Sequence, residues 1–284
     1  MSVIVCPVCH GDLDGVVCVV CHRSYSYSGK LPPRLPGDYD FVTDFTPDPP
    51  PDADVRENWS LWEKLQDNGL DAYVHAPDGN CSLNSRGIVR SFRRFVRLGW
   101  GNRVLDVGCG PSGRPGYLGR VPNTLVYGID PLQPSSPLSD VFFVRGIGEY
   151  LPFRSGYFDV IILASSLDHT LSPRRVVAEV GRCLKPGGRV CVWAWSPKAA
   201  RAPRFSRLRH AFANARGKVV PLVPPAWVKI KESADTPPGA IDCYHFHHES
   251  ENDLCSWFSE VDLVLSHRKT YRSGNLFLEF VTKT

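Results

Sequence analysis

The sequence predicts an α/β fold, a parallel sheet with helices on its faces, on three observations. The first is Arg103 to Gly113, RVLDVGCGPSG. Val104, Leu105 and Val107 form the short apolar run of a buried parallel strand. Gly108, Gly110 and Gly113 follow in G-x-G-x-x-G spacing, which suits a tight turn, close approach of a ligand to the backbone, and a helix opening toward that ligand. The second is a further apolar run, Thr124 to Ile129, that ends in Asp130, about 20 residues past the glycines, where an acid accepts hydrogen bonds from ribose hydroxyls. The third is the alternation downstream: a strand at Val141 to Val144, a strand at Phe158 to Leu163, a helix at Pro173 to Leu184, and another strand after it.

The glycine spacing alone is shared by several nucleotide folds. Asp106, two residues before the first glycine, and the phrases GEYLPF (148–153), FDVIILASSLDH (158–169) and LKPGGRVCVW (184–193) narrow it. Together they resemble the class I S-adenosylmethionine-dependent methyltransferases over about residues 100–284. The resemblance implies a seven-stranded Rossmann-like methyltransferase sheet, closed by a hairpin of Val261 to Lys269 and Leu276 to Thr282. It implies S-adenosyl-L-methionine as cofactor, held by Asp106, Gly108, Cys109, Gly110, Asp130, Pro131, Ile147, Gly148, Ala164 and Ser165. Backbone groups of Gly108, Cys109 and Gly110 would meet the methionine part, Asp106 would order the loop and face it, and Asp130 would hold the ribose. Ile147 stands where family members often carry an Asp for the adenine amine, so the adenine edge falls to the backbone of Ile147 and Gly148. Glu149 is expected to bond loop amides.

Composition sets the outer bounds. The 284 residues carry a formal net charge of +4, with 43% hydrophobic and 22% charged residues, as in an ordinary soluble globular protein. No apolar run reaches the ~20 residues of a membrane span. The first ten residues lack the basic and apolar regions of a signal peptide, so a cytoplasmic location is expected. Ten cysteines fit a reducing compartment with a metal site better than a disulfide framework.

Three regions are expected: 1–35, 36–99 and 100–284. In the first, Cys6 and Cys9, then Cys18 and Cys21, form two C-x-x-C pairs. Four thiolates complete a closed tetrahedral zinc site, structural because no position is left for water. Val16-Val17 and Tyr25 to Tyr27 read as short strands, and His10 and His22 stand beside the knuckles. The stretch resembles ribbons that precede some ribosomal RNA guanine methyltransferases, ribbons of methyltransferase activators, and ribbons before small-molecule methyltransferases.

The second region begins with a Pro- and Asp-rich linker, Leu31 to Asp54. A helix is expected over Asn58 to Asn68, with Asn58 as N-cap and Gly69 just past its end. A second is expected over Asn84 to Leu98, Ile88, Val89, Phe92, Phe95 and Val96 turned inward. Helices in this position cap the cofactor in the family, or cover the sheet edge, and Tyr73, His75 and Asn80 fall in the loop expected between them.

After strand four, Asp168 and His169 are the candidates for proton chemistry, although methyl transfer from a sulfonium often needs only positioning and desolvation. SSLDH departs from the Asn/Asp-Pro-Pro-aromatic motif of nucleic-acid amine methylases. No Pro-Cys stands there for a covalent cytosine route. Residues 197–250 form a substrate-cover insertion. Lys198 to Lys231 holds nine Lys or Arg and no acid, which suits an anionic partner or the acidic linker. His245 and His247 alternate onto one face, without a third metal ligand nearby in sequence. The acceptor is expected to be a small molecule or glycoconjugate. Ribosomal RNA is the alternative, and a non-catalytic binding module the second.

Overall fold

The computed structural model describes residues 2–27, 39–41, 52–75, 87–112, 114–134, 141–200, 240, 245–271 and 273–283. The centre of the Pro-rich linker, Asn80, Gly113 and the body of the 197–250 insertion lie outside them.

The chain begins with a small hairpin, β1 (Leu13–Asp14) against β2 (Val17–Cys18), joined through Gly15 at φ +61°. Next come β3 (Ser26–Tyr27) and β4 (Tyr39–Asp40), then two helices, α1 (Ala53–His75) and α2 (Gly87–Val96). Strands β5 (Arg103–Val107), β6 (Leu125–Asp130), β7 (Phe142–Arg145) and β8 (Phe158–Ala164) follow. The chain closes with α3 (Pro173–Cys183), β9 (Leu184–Ala200), α4 (Glu251–Glu260), β10 (Leu263–Thr270) and β11 (Ser273–Thr282).

One sheet runs in the order β10-β11-β9-β8-β5-β6-β7-β4-β3. Its middle is parallel, and β11 and β10 fold back antiparallel. The seven expected strands lie side by side, but the sheet has nine. β4 adds to the β7 edge in parallel and β3 pairs with β4. An exposed strand edge presents unpaired backbone groups, and here it is covered by chain from the amino-terminal region. The Asp40 carboxylate meets Arg145 Nη1 at 2.7 Å, and Phe41 N–H donates to the Arg145 carbonyl.

Both faces of the sheet are covered, as continuous apolar strands require. Leu105, Ile161 and Leu163 face a core shared with α3, α4 and the amino-terminal residues Ile4 and Tyr25. Val104, Val160 and Ile162 face the opposite way, onto Val89, Phe92 and Val96 of α2. α2 therefore packs on the sheet face. α1 packs a third cluster, Val55, Trp59 and Trp62 on Ile147, Tyr150 and Leu171.

Two expectations about helices are corrected. α1 begins five residues before Asn58 and runs through Gly69 to His75. A lone glycine costs a helix only about 1 kcal/mol relative to alanine, and the apolar face continues past it. The second correction lies after the glycine loop. Residues 111–124 contain turns and, among the described residues, no helix. Pro111, Pro115, Gly116, Gly119 and Pro122 in that stretch explain why.

The four-cysteine region is tied to the sheet domain by backbone and charge. Val5 N–H donates to Pro152 O, Arg154 N–H to Val3 O, and His10 Nε2 lies 3.5 Å from Glu179 Oε1 on α3. Among the described residues no helix is long and apolar enough to cross a membrane.

Candidate functional site

A cavity of about 290 Å³ opens beyond the carboxyl ends of β5, β6 and β8, where parallel α/β sheets bind ligands. Its floor comes from the strand ends: Val107 and Gly108, Ile129 to Leu132, and Ala164 to Ser166. Gly146 to Glu149 form one wall. α1 forms the roof with Trp62, Leu65, Gln66, Gly69, Ala72 and Tyr73. Nothing lies within 4 Å of where a Gly69 Cβ would stand, so the glycine widens the roof. The Trp62 indole N–H donates to the His169 carbonyl at 3.0 Å and fastens α1 to the turn after β8.

The floor is organised by Asp130. Its Oδ2 accepts the Gly110 N–H at 2.7 Å and its Oδ1 the Leu132 N–H at 2.9 Å. Each carboxylate oxygen keeps a second lone pair for a ligand. Burial pushes this carboxyl up to about 6, the two backbone donors and then His169 opposing the rise. Gly108 N–H and Cys109 N–H both donate to the Ile129 carbonyl, at 2.8 and 3.3 Å. The three loop amides are thus spent on β6. Among the described residues no helix follows, and these three amides are not free to meet a ligand.

Of the ten residues the resemblance assigned to the cofactor, seven line the cavity: Gly108, Asp130, Pro131, Ile147, Gly148, Ala164 and Ser165. Asp106, Cys109 and Gly110 do not. Asp106 is wholly buried under the loop, where both its oxygens accept from the Tyr117 hydroxyl at 2.9 and 3.1 Å. Burial raises its carboxyl to about 7, and the nearby charge of Asp130 adds to the rise against the Tyr117 bond. Tyr117, which does line the cavity, carries the influence of Asp106 to it. Cys109 Sγ packs toward Gly128 and is pushed well above its ordinary range by burial. Gly108 and Gly110 have φ of +78° and +73°. A Cβ on Gly108 would stand 2.3 Å from Ser166 Cβ, and one on Gly110 2.3 Å from the Tyr73 hydroxyl oxygen. These glycines answer to neighbouring protein atoms as well as to a ligand.

Glu149 does bond amides: its Oε1 accepts from Leu171 N–H at 2.7 Å and Ser172 N–H at 3.1 Å, at the start of α3.

The turn Leu167–His169 closes the far end. His169 lines the cavity; Asp168 lies behind it. Residues 245–247 dock on this turn, Phe246 N–H and His247 N–H both donating to the Asp168 carbonyl, at 2.9 and 3.3 Å. His245 thereby enters the cavity wall, and His247 turns away, its Nε2 3.2 Å from the Leu171 carbonyl. The expected alternation of His245 and His247 onto one face fails because the segment is bent by those two bonds. Tyr73, on α1 instead of in a loop, and His245 are the cavity residues that carried least weight in the sequence.

At the other end of the chain the four cysteines converge, all four Sγ atoms within 4.8 Å of one another. Cys9 and Cys18 Sγ are 3.3 Å apart, Cys6 and Cys21 3.7 Å. The knuckles match: His10 N–H bonds Cys6 O, His22 N–H bonds Cys18 O, and both histidines sit near φ +60°.

Comparison with known proteins is consistent with this geometry. Residues 105–192 match the sequence family described as methyltransferase domain. The ubiquinone/menaquinone biosynthesis C-methyltransferase UbiE of Stutzerimonas stutzeri (strain A1501) is 33% identical over 148 residues. Phthiotriol/phenolphthiotriol dimycocerosates methyltransferase 1 of Mycobacterium ulcerans (strain Agy99) is 38% identical over 155. Each match covers 46% of this chain, and the chain spans 57% of the length of each relative. The Burkholderia thailandensis 1,6-didemethyltoxoflavin-N1-methyltransferase, solved with 1,6-didemethyltoxoflavin and S-adenosylhomocysteine, superposes with a TM-score of 0.52. That superposition covers 93% of this chain and 98% of the other at 13% identity, a likeness of fold. The central segment thus matches a methyltransferase-domain family by sequence, on a Rossmann-like sheet that shares the fold of a solved methyltransferase.

Proposed function

We propose that the chain transfers a methyl group from S-adenosyl-L-methionine to a small-molecule or glycoconjugate acceptor by in-line displacement. The observation that carries this reading is the cavity floor, where one buried carboxylate with lone pairs to spare stands among apolar side chains. A nucleoside fits that donor set. Asp130 would accept its ribose hydroxyls, and Ile147, Leu132 and Pro131 would flank its base. The cofactor supplies an electrophilic methyl on a sulfonium. The protein's part is to orient that methyl, exclude water beneath α1, and leave the acceptor an approach along the carbon–sulfur axis from the His169 and His245 end.

The two relatives, named for ubiquinone/menaquinone biosynthesis and for phthiotriol dimycocerosates, favour a small-molecule acceptor over a nucleic acid. The basic stretch that motivated an anionic or RNA partner lies outside the described residues, apart from the strand end at Lys198. For Cys6, Cys9, Cys18 and Cys21 the reading is structural zinc. Zinc–sulfur bonds of about 2.3 Å place tetrahedral thiolates about 3.8 Å apart, close to the spacing seen.

The test has two parts. Calorimetry should register S-adenosylhomocysteine binding, and its absence would move the chain to the non-catalytic class. Labelled methyl from S-adenosylmethionine, offered with a host extract, should enter the small-molecule pool; label confined to RNA would overturn the acceptor class. Zinc analysis should give one equivalent, lost in Cys18→Ser.

A further inference from the structure

At the far end of the cavity three metal-competent side chains meet. Asp168 and His169 come from the turn after β8, and His245 from the segment docked on it, separated in sequence by α3, β9 and the insertion. Their ligand atoms lie within 4.8 Å of one another. His169 Nε2 is 3.8 Å from Asp168 Oδ1, and His245 Nε2 is 3.7 Å from Asp168 Oδ2. Both separations exceed a hydrogen bond. Both sit slightly above the roughly 3.0–3.4 Å between neighbouring ligands when metal bonds are about 2.1 Å. The rings of His169 and His245 are 4.7 Å apart and tilted by 33°, so they converge without stacking flat. Asp168 Oδ1 is buried and makes no hydrogen bond among the described residues, and so is Oε1 of Glu249, four residues past His245. Buried carboxylate oxygens normally find a donor or a cation.

We propose that Asp168, His169 and His245 form a site for one divalent transition-metal ion at the acceptor end of the cavity. Two imidazoles and one carboxylate suit first-row metals such as iron(II) or cobalt(II) and leave coordination positions open. His169 and His245 both line the cavity, so the open positions face the space where the acceptor enters. The backbone bonds from Phe246 and His247, with the Trp62 bond to His169, hold both ligand-bearing segments in place beforehand.

The chemical consequence rests on the cavity being the methyl-donor site. A metal there takes an acceptor bearing an acidic hydroxyl, a phenol or an enol, as its oxyanion. The hydroxyl proton leaves to solvent on binding. The acceptor's electron pair then forms the bond to the methyl carbon while the carbon–sulfur bond breaks and its electrons stay on sulfur, giving a neutral thioether.

The experiment is a cobalt(II) titration of the full chain with its cysteines already saturated with zinc. One further equivalent should bind, with visible ligand-field bands and no thiolate charge-transfer band. Asp168→Asn and His245→Ala should each weaken it at least tenfold, and His248→Ala, an exposed neighbour, should not. No further equivalent, cobalt entering only with thiolate absorption, or full binding in both ligand variants overturns the site. Because the wild-type spectrum is itself a readout, misfolding of a variant does not rescue the proposal. S-adenosylhomocysteine affinity, measured on the same sample, separates the outcomes. Cofactor bound without cobalt sinks this site alone, and cobalt bound without cofactor sinks the methyltransferase reading.

Discussion

Two aspartates, Asp130 in the cavity floor at the end of β6 and Asp168 behind the cavity wall in the turn after β8, have different surroundings. Asp130 ends β6 with both oxygens bonded to backbone amides of neighbouring loops. Asp168 follows β8 with one oxygen that makes no hydrogen bond among the described residues and two imidazoles about 3.7–3.8 Å away. A carboxylate fixed by two backbone donors is a rigid acceptor, suited to a neutral polyol. A partly buried carboxylate with one oxygen shielded from solvent, facing histidines beyond hydrogen-bond range, is suited to a cation. Under the proposed function, the difference assigns the methyl donor to the Asp130 part of the cavity and the acceptor to the part beside His169 and His245.

The largest break in that division comes from Asp130→Ala. It removes the acceptor of the ribose hydroxyls and releases the Gly110 amide at once. Two charge-assisted hydrogen bonds at about 1.5 kcal/mol each correspond to roughly 100-fold weaker binding. Calorimetry with S-adenosylhomocysteine measures it; a change under tenfold would move the ribose elsewhere.

The two ends also differ in how openly the sequence displays them. Asp130 and its partner Gly110 belong to one strand–loop–strand unit, and the β5–β6 register follows from the apolar pattern of each strand. Asp168 and His245 are brought together only by folding, and no period in the sequence links them. The same contrast runs through the fold. The β5, β6 and β8 strands are legible because both faces are buried and each residue type shows it. The short strand at Tyr25 to Tyr27 was legible and corresponds to β3, but the two-residue β4 has no period to read, and nothing local shows that both join the main sheet. That no helix follows the glycine loop among the described residues was legible in Pro111, Pro115 and Pro122, which outweigh the helix that the G-x-G-x-x-G spacing suggests. Reading Gly69 as a stop failed because a lone glycine is a weak breaker when apolar residues continue beyond it.

Gly108→Ala probes the join between the two ends, since Gly108 belongs to the donor loop and its missing Cβ makes room for Ser166, which leads into the Asp168 turn. Alanine there would have to adopt φ +78° and displace Ser166, whose hydroxyl donates to the Val107 carbonyl at 2.7 Å. Overpacking plus backbone strain costs roughly 2–4 kcal/mol. The melting temperature should fall by about 5 °C or more, with cofactor affinity falling alongside. A variant as stable as the parent would mean the loop and turn are not locked together.

Acidity sharpens the donor end further. Burial lifts Asp130 to about 6, above the 3.8 of a free aspartate. Ribose hydroxyls donate best to the anion, so affinity for S-adenosylhomocysteine should rise with pH through about 6. At pH 5 it should be about tenfold weaker than at pH 7. Stability of the ligand-free protein should move the other way. An acid whose pKa is raised by folding binds protons more tightly in the folded state. Its contribution is therefore present at low pH and is lost as pH rises from about 4 toward 6, and for Asp106 toward 7. Affinity and melting temperature measured across pH 4.5–7.5 should show opposite slopes; parallel slopes would assign the titration to other groups.

The smallest expected effect is the most discriminating. Asp168→Asn keeps the shape of the turn, because Phe246 and His247 bond the Asp168 backbone carbonyl and not its side chain. The carboxylate stands behind His169 and outside the cavity lining. Removing its charge should therefore leave S-adenosylhomocysteine affinity within about twofold, the size of a screened interaction between separated groups. If the affinity instead falls as it does for Asp130→Ala, the two aspartates act on one ligand and the division of the cavity is wrong. If it holds, the cost of the substitution must appear only where an acceptor or a metal is present, which is what a cavity with two separate ends requires.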